Sequence, residues 1–132
     1  MRLTPMIALA AVGLLATGAA QAAPGKTPQE RMAKALEGRT PGTPVDCIYQ
    51  NQIQSSQIID KTAIIYQVGR TLYVNTPRSG AEFLDSSDIL VTDTHSPQLC
   101  SIDMVRLIDQ GSRMPSGSLG LGKFVPYTKP KN

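Results

Sequence analysis

His95 is the single histidine of the chain, so a general acid or base working near neutral pH would have to be this residue. It stands in Asp93-Thr94-His95-Ser96-Pro97, a run dense in turn formers that reads as a solvent-exposed reversal. Hydrolytic use would need a carboxylate from Asp88, Asp93 or Asp103 to orient the imidazole and a serine to attack. No serine lies in a nucleophile-elbow motif. Asp85, Asp88 and Asp93 cluster and offer the hard oxygen ligands that calcium takes, yet they lack the Asp-x-Asp-x-Asp-Gly pattern of a calcium loop and read better as turn caps. Gly117-Ser118-Leu119-Gly120-Leu121-Gly122 has the glycine content of a phosphate cradle. It lacks the Lys-Ser/Thr of a P-loop and the strand-to-helix frame of a dinucleotide site. The expectation is therefore no catalytic, metal or cofactor residue.

Cys47 and Cys100 are the only cysteines, and neither a Cys-x-x-Cys spacing nor a histidine cluster accompanies them. The start of the chain explains them better. Arg2 precedes the apolar run Met6-Ile7-Ala8-Leu9-Ala10-Ala11-Val12-Gly13-Leu14-Leu15-Ala16, which is short for a permanent anchor, and Ala20-Gln21-Ala22 has the small-x-small form of a cleavage site. No Lys/Arg stop-transfer flank follows, so residues 1–22 read as a signal peptide cleaved after Ala22. The expected destination is the bacterial periplasm or the medium, with no permanent membrane anchor, and two thiols there normally form a disulfide. A Cys47–Cys100 bond would close a loop of about 50 residues and contribute about 4 kcal/mol by loss of unfolded-chain entropy.

Without the leader, about 110 residues remain, enough for one domain with one modest core. Arg2 leaves with the leader, so the formal net charge of +3 falls by one, and the remaining cations are scattered along the chain. With Trp absent, no nucleic-acid footprint is legible. The four tyrosines and two phenylalanines are expected mostly in the core, any exposed one beside Arg70 or Arg78 being a candidate recognition patch.

The elements that must position these residues follow from pattern. Thr27-Pro28-Gln29-Glu30 is a capping box with proline at the first helical position, which predicts a helix over 28–37 with Met32, Ala35 and Leu36 on one face and Gly38 ending it. Arg39-Thr40-Pro41-Gly42-Thr43-Pro44 reads as a linker. Residues 53–59, 62–68 and 71–75 predict a three-stranded meander with turns at Asp60-Lys61 and Gly69-Arg70; its middle strand is apolar on both faces. Further strands are expected over 89–92, 104–108 and 121–127, and the Gly/Ser/Pro-rich stretch 109–119 reads as a long loop. The fold class is therefore mainly β: a small five- or six-stranded barrel or curved antiparallel sheet with one short N-terminal helix. The division is leader 1–22, tail, helix and linker 23–44, disulfide-stapled β domain 45–128, and tail 129–132.

Cys47, the segment Ile58-Ile59-Asp60-Lys61-Thr62-Ala63-Ile64-Ile65-Tyr66, then Tyr73-Val74-Asn75, Leu99-Cys100-Ser101-Ile102-Asp103 and Phe124-Val125-Pro126-Tyr127 follow one another in an order that resembles a family of small exported proteobacterial proteins of sphingomonad type, whose function is uncharacterised. The likeness covers the chain from about Cys47 onward. It implies export and the Cys47–Cys100 bond, and supplies no activity. Members of that kind carry a second cysteine pair where Ala81 and Leu119 stand here, so the loops around 79–85 and 116–122 are expected to be held less tightly.

The functional expectation is a non-enzymatic binding or structural module of the bacterial envelope, with an envelope protein or cell-wall component as partner. One alternative is a small periplasmic hydrolase using His95. The other is an inhibitor of envelope enzymes, with Arg113-Met114-Pro115 or Thr76-Pro77-Arg78 as its protruding loop.

Overall fold

Thr27 opens the first element as its residue type requires. Its Oγ1 accepts from the Glu30 amide at 3.2 Å, while Glu30 Oε2 accepts from the Thr27 amide at 2.9 Å, and Pro28 follows at the first helical position. The computed structural model describes residues 25–131, so the signal-peptide reading of 1–22 lies outside the described residues. Helix α1 spans Pro28–Ala35, somewhat shorter than the sequence predicts, because Leu36 already caps it ahead of Gly38 at φ 72°.

Ten strand segments follow: β1 (Thr40–Pro41), β2 (Cys47–Tyr49), β3 (Ile53–Ile59), β4 (Ala63–Val68), β5 (Thr71–Asn75), β6 (Asp88–Thr92), β7 (Gln98–Cys100), β8 (Met104–Asp109), β9 (Pro115–Gly120) and β10 (Phe124–Thr128). They form three antiparallel sheets, ordered β1-β10-β5-β4-β3, β2-β7 and β6-β8-β9, and do not close into a barrel. Among the described residues the fold is mainly β, curved, with one short α-helix. The meander β3-β4-β5 sits where the sequence puts it, and its second turn places Gly69 at φ 59°, a value glycine adopts without strain in a two-residue hairpin.

Four strands escape the sequence reading. β2 and β7 are three residues each, too short to show alternation, and pair Cys47 with Cys100 directly. β9 occupies part of the predicted 109–119 loop; its sequence PSGSLG has poor strand propensity, and its pairing with β8 overrides that. Gly117 also has a packing role there, since a Cβ would lie 2.7 Å from Phe83 Cβ and Cγ. β1 falls inside the predicted linker and pairs Thr40 with Thr128 and Pro41 with Tyr127, so the segment ahead of Val45 is hydrogen-bonded into the main sheet.

The five-stranded sheet buries both faces. Ile58, Ile64, Tyr66 and Phe124 join Ile48, Leu84, Leu99, Val105, Leu107, Leu119 and Leu121 in the principal core, enclosed by the other two sheets. On the opposite face Ile59, Ala63, Ile65 and Val74 meet Met32, Ala35 and Leu36 of α1. β4 alternates between these clusters, as a strand apolar on both sides must. The loops expected to lack a cysteine bridge are tied by backbone instead: Gly120 donates to Ser79 O at 3.0 Å and Arg78 to Gly120 O at 2.9 Å, and a Cβ on Gly80 would lie 3.1 Å from Leu119 Cβ.

Candidate functional site

The disulfide joins Cys47 to Cys100, and the two residues are direct cross-strand neighbours. Asp103 accepts the Cys100 amide on its Oδ2 at 2.7 Å, so one of the three carboxylates offered to a histidine mechanism braces the bridge instead. Asp88 accepts from Ser116 Oγ at 2.6 Å and ties β6 to β9. Asp85 accepts both the amide and the hydroxyl of Ser87. Those bonds hold its carboxyl below the usual carboxylate range, the Ser87 hydroxyl contributing most.

His95 and Asp93 are exposed on the loop between β6 and β7. Thr94 and Ser96 in that loop accept from Gln50 Nε2, which stitches it to the 3-10 turn after β2 and leaves the imidazole pointing at no carboxylate or hydroxyl in hydrogen-bond contact among the described residues. Hydrolysis needs those contacts. No group of three or more His, Cys, Asp or Glu able to hold a metal ion occurs among the described residues, and no helix there is long and apolar enough to cross a membrane. The glycine-rich stretch is structural: Asn75, fully buried, donates to Gly122 O at 2.7 Å and accepts the Gly122 amide at 2.9 Å, closing the chain just before β10. The remaining aromatics divide as a small core requires. Tyr66 and Phe124 are buried with ring centroids 5.9 Å apart, while Tyr49 and Phe83 are half exposed.

What the structure does assemble is a seam. β3 and β6 are each the last strand of their sheets, and a cleft of about 370 Å³ runs between them, lined by Ser56, Gln57 and Ile58 on one side and Ser86, Asp88, Ile89 and Leu90 on the other, with Arg31 at its mouth. One end is pinned: Lys61 donates its amide to Leu84 O at 3.0 Å, and the Ser86 amide donates to Asp60 Oδ1 at 2.6 Å. Asp60 Oδ2 also takes the Arg31 guanidinium at 2.8 Å, so the same carboxylate joins α1, the end of β3 and the approach to β6. From this pin the two edges separate in antiparallel sense, and among the described residues no backbone hydrogen bond crosses between them. Apart from the amides of Ile53 and Asp88, which donate to Gln50 O and Asp85 O, the outward amides and carbonyls of both edges have no partner among the described residues and are open to an incoming strand. Ile58 and Leu90, both packed on the principal core, give the cleft an apolar floor under a polar rim.

Sequence reasoning locates β3 and β6 but not their relation, because edge status depends on pairings far apart in the chain. Gln54-Ser55-Ser56-Gln57, exposed throughout, is the one local signal of an uncovered strand. No family model, curated protein or solved structure matches the chain.

Proposed function

We propose that this chain is an exported, non-enzymatic binding module of the bacterial envelope that takes an extended segment of a partner protein into the seam between β3 and β6. The observation that carries the reading is the pair of unpaired strand edges facing each other across a cleft with an apolar floor. An extended backbone is the ligand that satisfies both rows of amides and carbonyls, and its alternate side chains meet Ile58 and Leu90. The disulfide supports an oxidising compartment, and the leader-like first 22 residues support export. The engagement of Asp85, Asp88 and Asp103 in structural bonds, with His95 exposed and without a hydrogen-bond partner among the described residues, supports binding over hydrolysis.

The test is a screen of the oxidised protein against an array of ten-residue peptides, followed by amide exchange on the bound state. Protection concentrated in β3 and β6 is the expected result; protection elsewhere, or binding that Ile89→Lys leaves intact, sinks the reading. Concentration-dependent dimers in sedimentation that Ile89→Lys abolishes would instead assign the seam to a second copy of the chain.

A second reading rests on the tip of the β8–β9 hairpin. Asp109 accepts the Ser112 amide at 2.7 Å and its hydroxyl at 2.8 Å, and exchanges backbone bonds with Arg113 and Met114, so a braced turn carries Arg113 at φ 63° and Met114 at 62 % exposure. A rigid protruding loop is the form an enzyme inhibitor uses. The other candidate loop is tied down, Arg78 Nε donating to Leu121 O at 2.7 Å. Incubation with trypsin-like proteases decides it: undiminished protease activity removes this reading.

A further inference from the structure

Cations that are scattered in the sequence converge in space. Along α1, where the helix overlies the β3-β4-β5 face, three hollows run into one another. The first is lined by Lys26, Arg31, Lys34, Ala35 and Gln57; the second shares Ala35 and Gln57 and continues over Ser55, Gln67 and Leu72 to Arg39; the third, of about 840 Å³, shares Arg39 and Gln67 and ends among Arg70, Lys129 and Lys131. Among the described residues no carboxylate lines any of them. Arg31 is neutralised by Asp60, but among the described residues none of Lys26, Lys34, Arg39, Arg70, Lys129 and Lys131 has an ion-pair partner. The nearby Glu30 is engaged in the helix cap.

One detail shows that positive charge is held in place midway along the groove. Arg39 Nη1 donates to the carbonyls of Arg70 at 2.7 Å and Tyr127 at 3.2 Å, which fixes a guanidinium midway along the groove without cancelling its charge. Lys26 lies against Lys34, whose ammonium lowers the Lys26 pKa, while the Glu30 carboxylate opposes that shift in part. Between the cations the walls offer neutral hydrogen-bonding groups: Ser55, Gln57, Gln67, Thr71 and Thr128.

We propose that this groove binds a linear acidic polysaccharide, its carboxylates, phosphates or sulfates meeting the six unpaired cations and its hydroxyls meeting the serine, threonine and glutamine side chains. The groove is concave and long, which suits a single polymer strand and not a flat bilayer. Among the described residues no aromatic side chain lines it, so they offer no platform on which nucleic-acid bases could stack. The groove adjoins the seam at Arg31 and Gln57, which line both, but its six unpaired cations lie outside the seam and their role does not depend on a peptide ligand there.

The experiment is electrophoresis and calorimetry of the oxidised protein with polygalacturonate, against neutral dextran, an oligothymidylate and vesicles containing anionic phospholipid. Polygalacturonate should retard the protein, dextran should not, and affinity should fall at least about tenfold from low to physiological salt. Arg70→Gln/Lys129→Gln/Lys131→Gln, at exposed positions, should weaken binding at least about tenfold with an unchanged thermal midpoint; Lys61→Gln/Arg113→Gln/Lys123→Gln, removing equal charge outside the groove, should not. Equal loss in both triple variants, no retardation by polygalacturonate, or tighter binding of oligothymidylate or vesicles would overturn the proposal.

Discussion

Tyr66 carries the single buried side-chain polar atom without a hydrogen bond among the described residues: its hydroxyl sits in the principal core, and burial pushes its ionisation well above the usual phenol range. Removing an unsatisfied hydroxyl while keeping the ring removes a desolvation cost, so Tyr66→Phe is expected to leave stability unchanged or raise it by about 1 kcal/mol in denaturant unfolding. A loss of more than that would mean the hydroxyl has a partner. Asn75 is the opposite case. It is fully buried and both ends of its amide are used by Gly122, so Asn75→Ala orphans a donor and an acceptor together and should cost about 3 kcal/mol, measured the same way. His95→Ala, on an exposed loop, should stay within about 0.5 kcal/mol of the parent.

At the scale of elements, the β8–β9 hairpin owes its rigid tip to one carboxylate. Bonds from the Ser112 amide and then its hydroxyl hold Asp109 below the usual carboxylate range. Because the folded-state pKa is the lower one, this local stabilisation is present above the ordinary value near 3.8 and is lost as pH falls through the folded value. In an NMR titration the Ser112 amide should therefore report a midpoint below pH 3.8, and a midpoint at or above that value would contradict the bracing. This hairpin also marks the limit of what sequence alone conveys. The meander β3-β4-β5 and helix α1 were legible because period-2 alternation, a glycine turn and a capping box are written in adjacent residues. β9 was not, since Pro115-Ser116-Gly117-Ser118 becomes a strand only through pairing with β8 and through the Phe83 ring lying on Gly117. β1 and β2 likewise owe their form to distant partners. The seam was illegible for the same reason: β3 and β6 were each visible as strands, but that both are left as edges follows from pairings dozens of residues apart.

For the molecule as a whole, three small sheets share one core, and the Cys47–Cys100 bond closes a loop across 53 positions between the shortest of them. Reduction should lower unfolding free energy by about 4 kcal/mol through the freedom returned to the unfolded chain, visible as a lower denaturant midpoint. An unchanged midpoint would show that the backbone bonds between sheets suffice alone. The fold thereby keeps two uncovered strand edges apart with free hydrogen-bonding groups and a shared apolar floor, an arrangement prone to pairing with another chain unless a partner is meant to fill it. The most direct test of that account is hydrogen exchange of the oxidised protein, free and with a peptide taken from the array. The account predicts that amides of Ser55 to Ile58 and of Ile89 to Val91 slow together on binding, and that Ile89→Lys abolishes both effects while Ile102→Lys, at a residue 77 % exposed outside the cleft, abolishes neither. Slowing confined to one edge, or equal sensitivity to both substitutions, would contradict it.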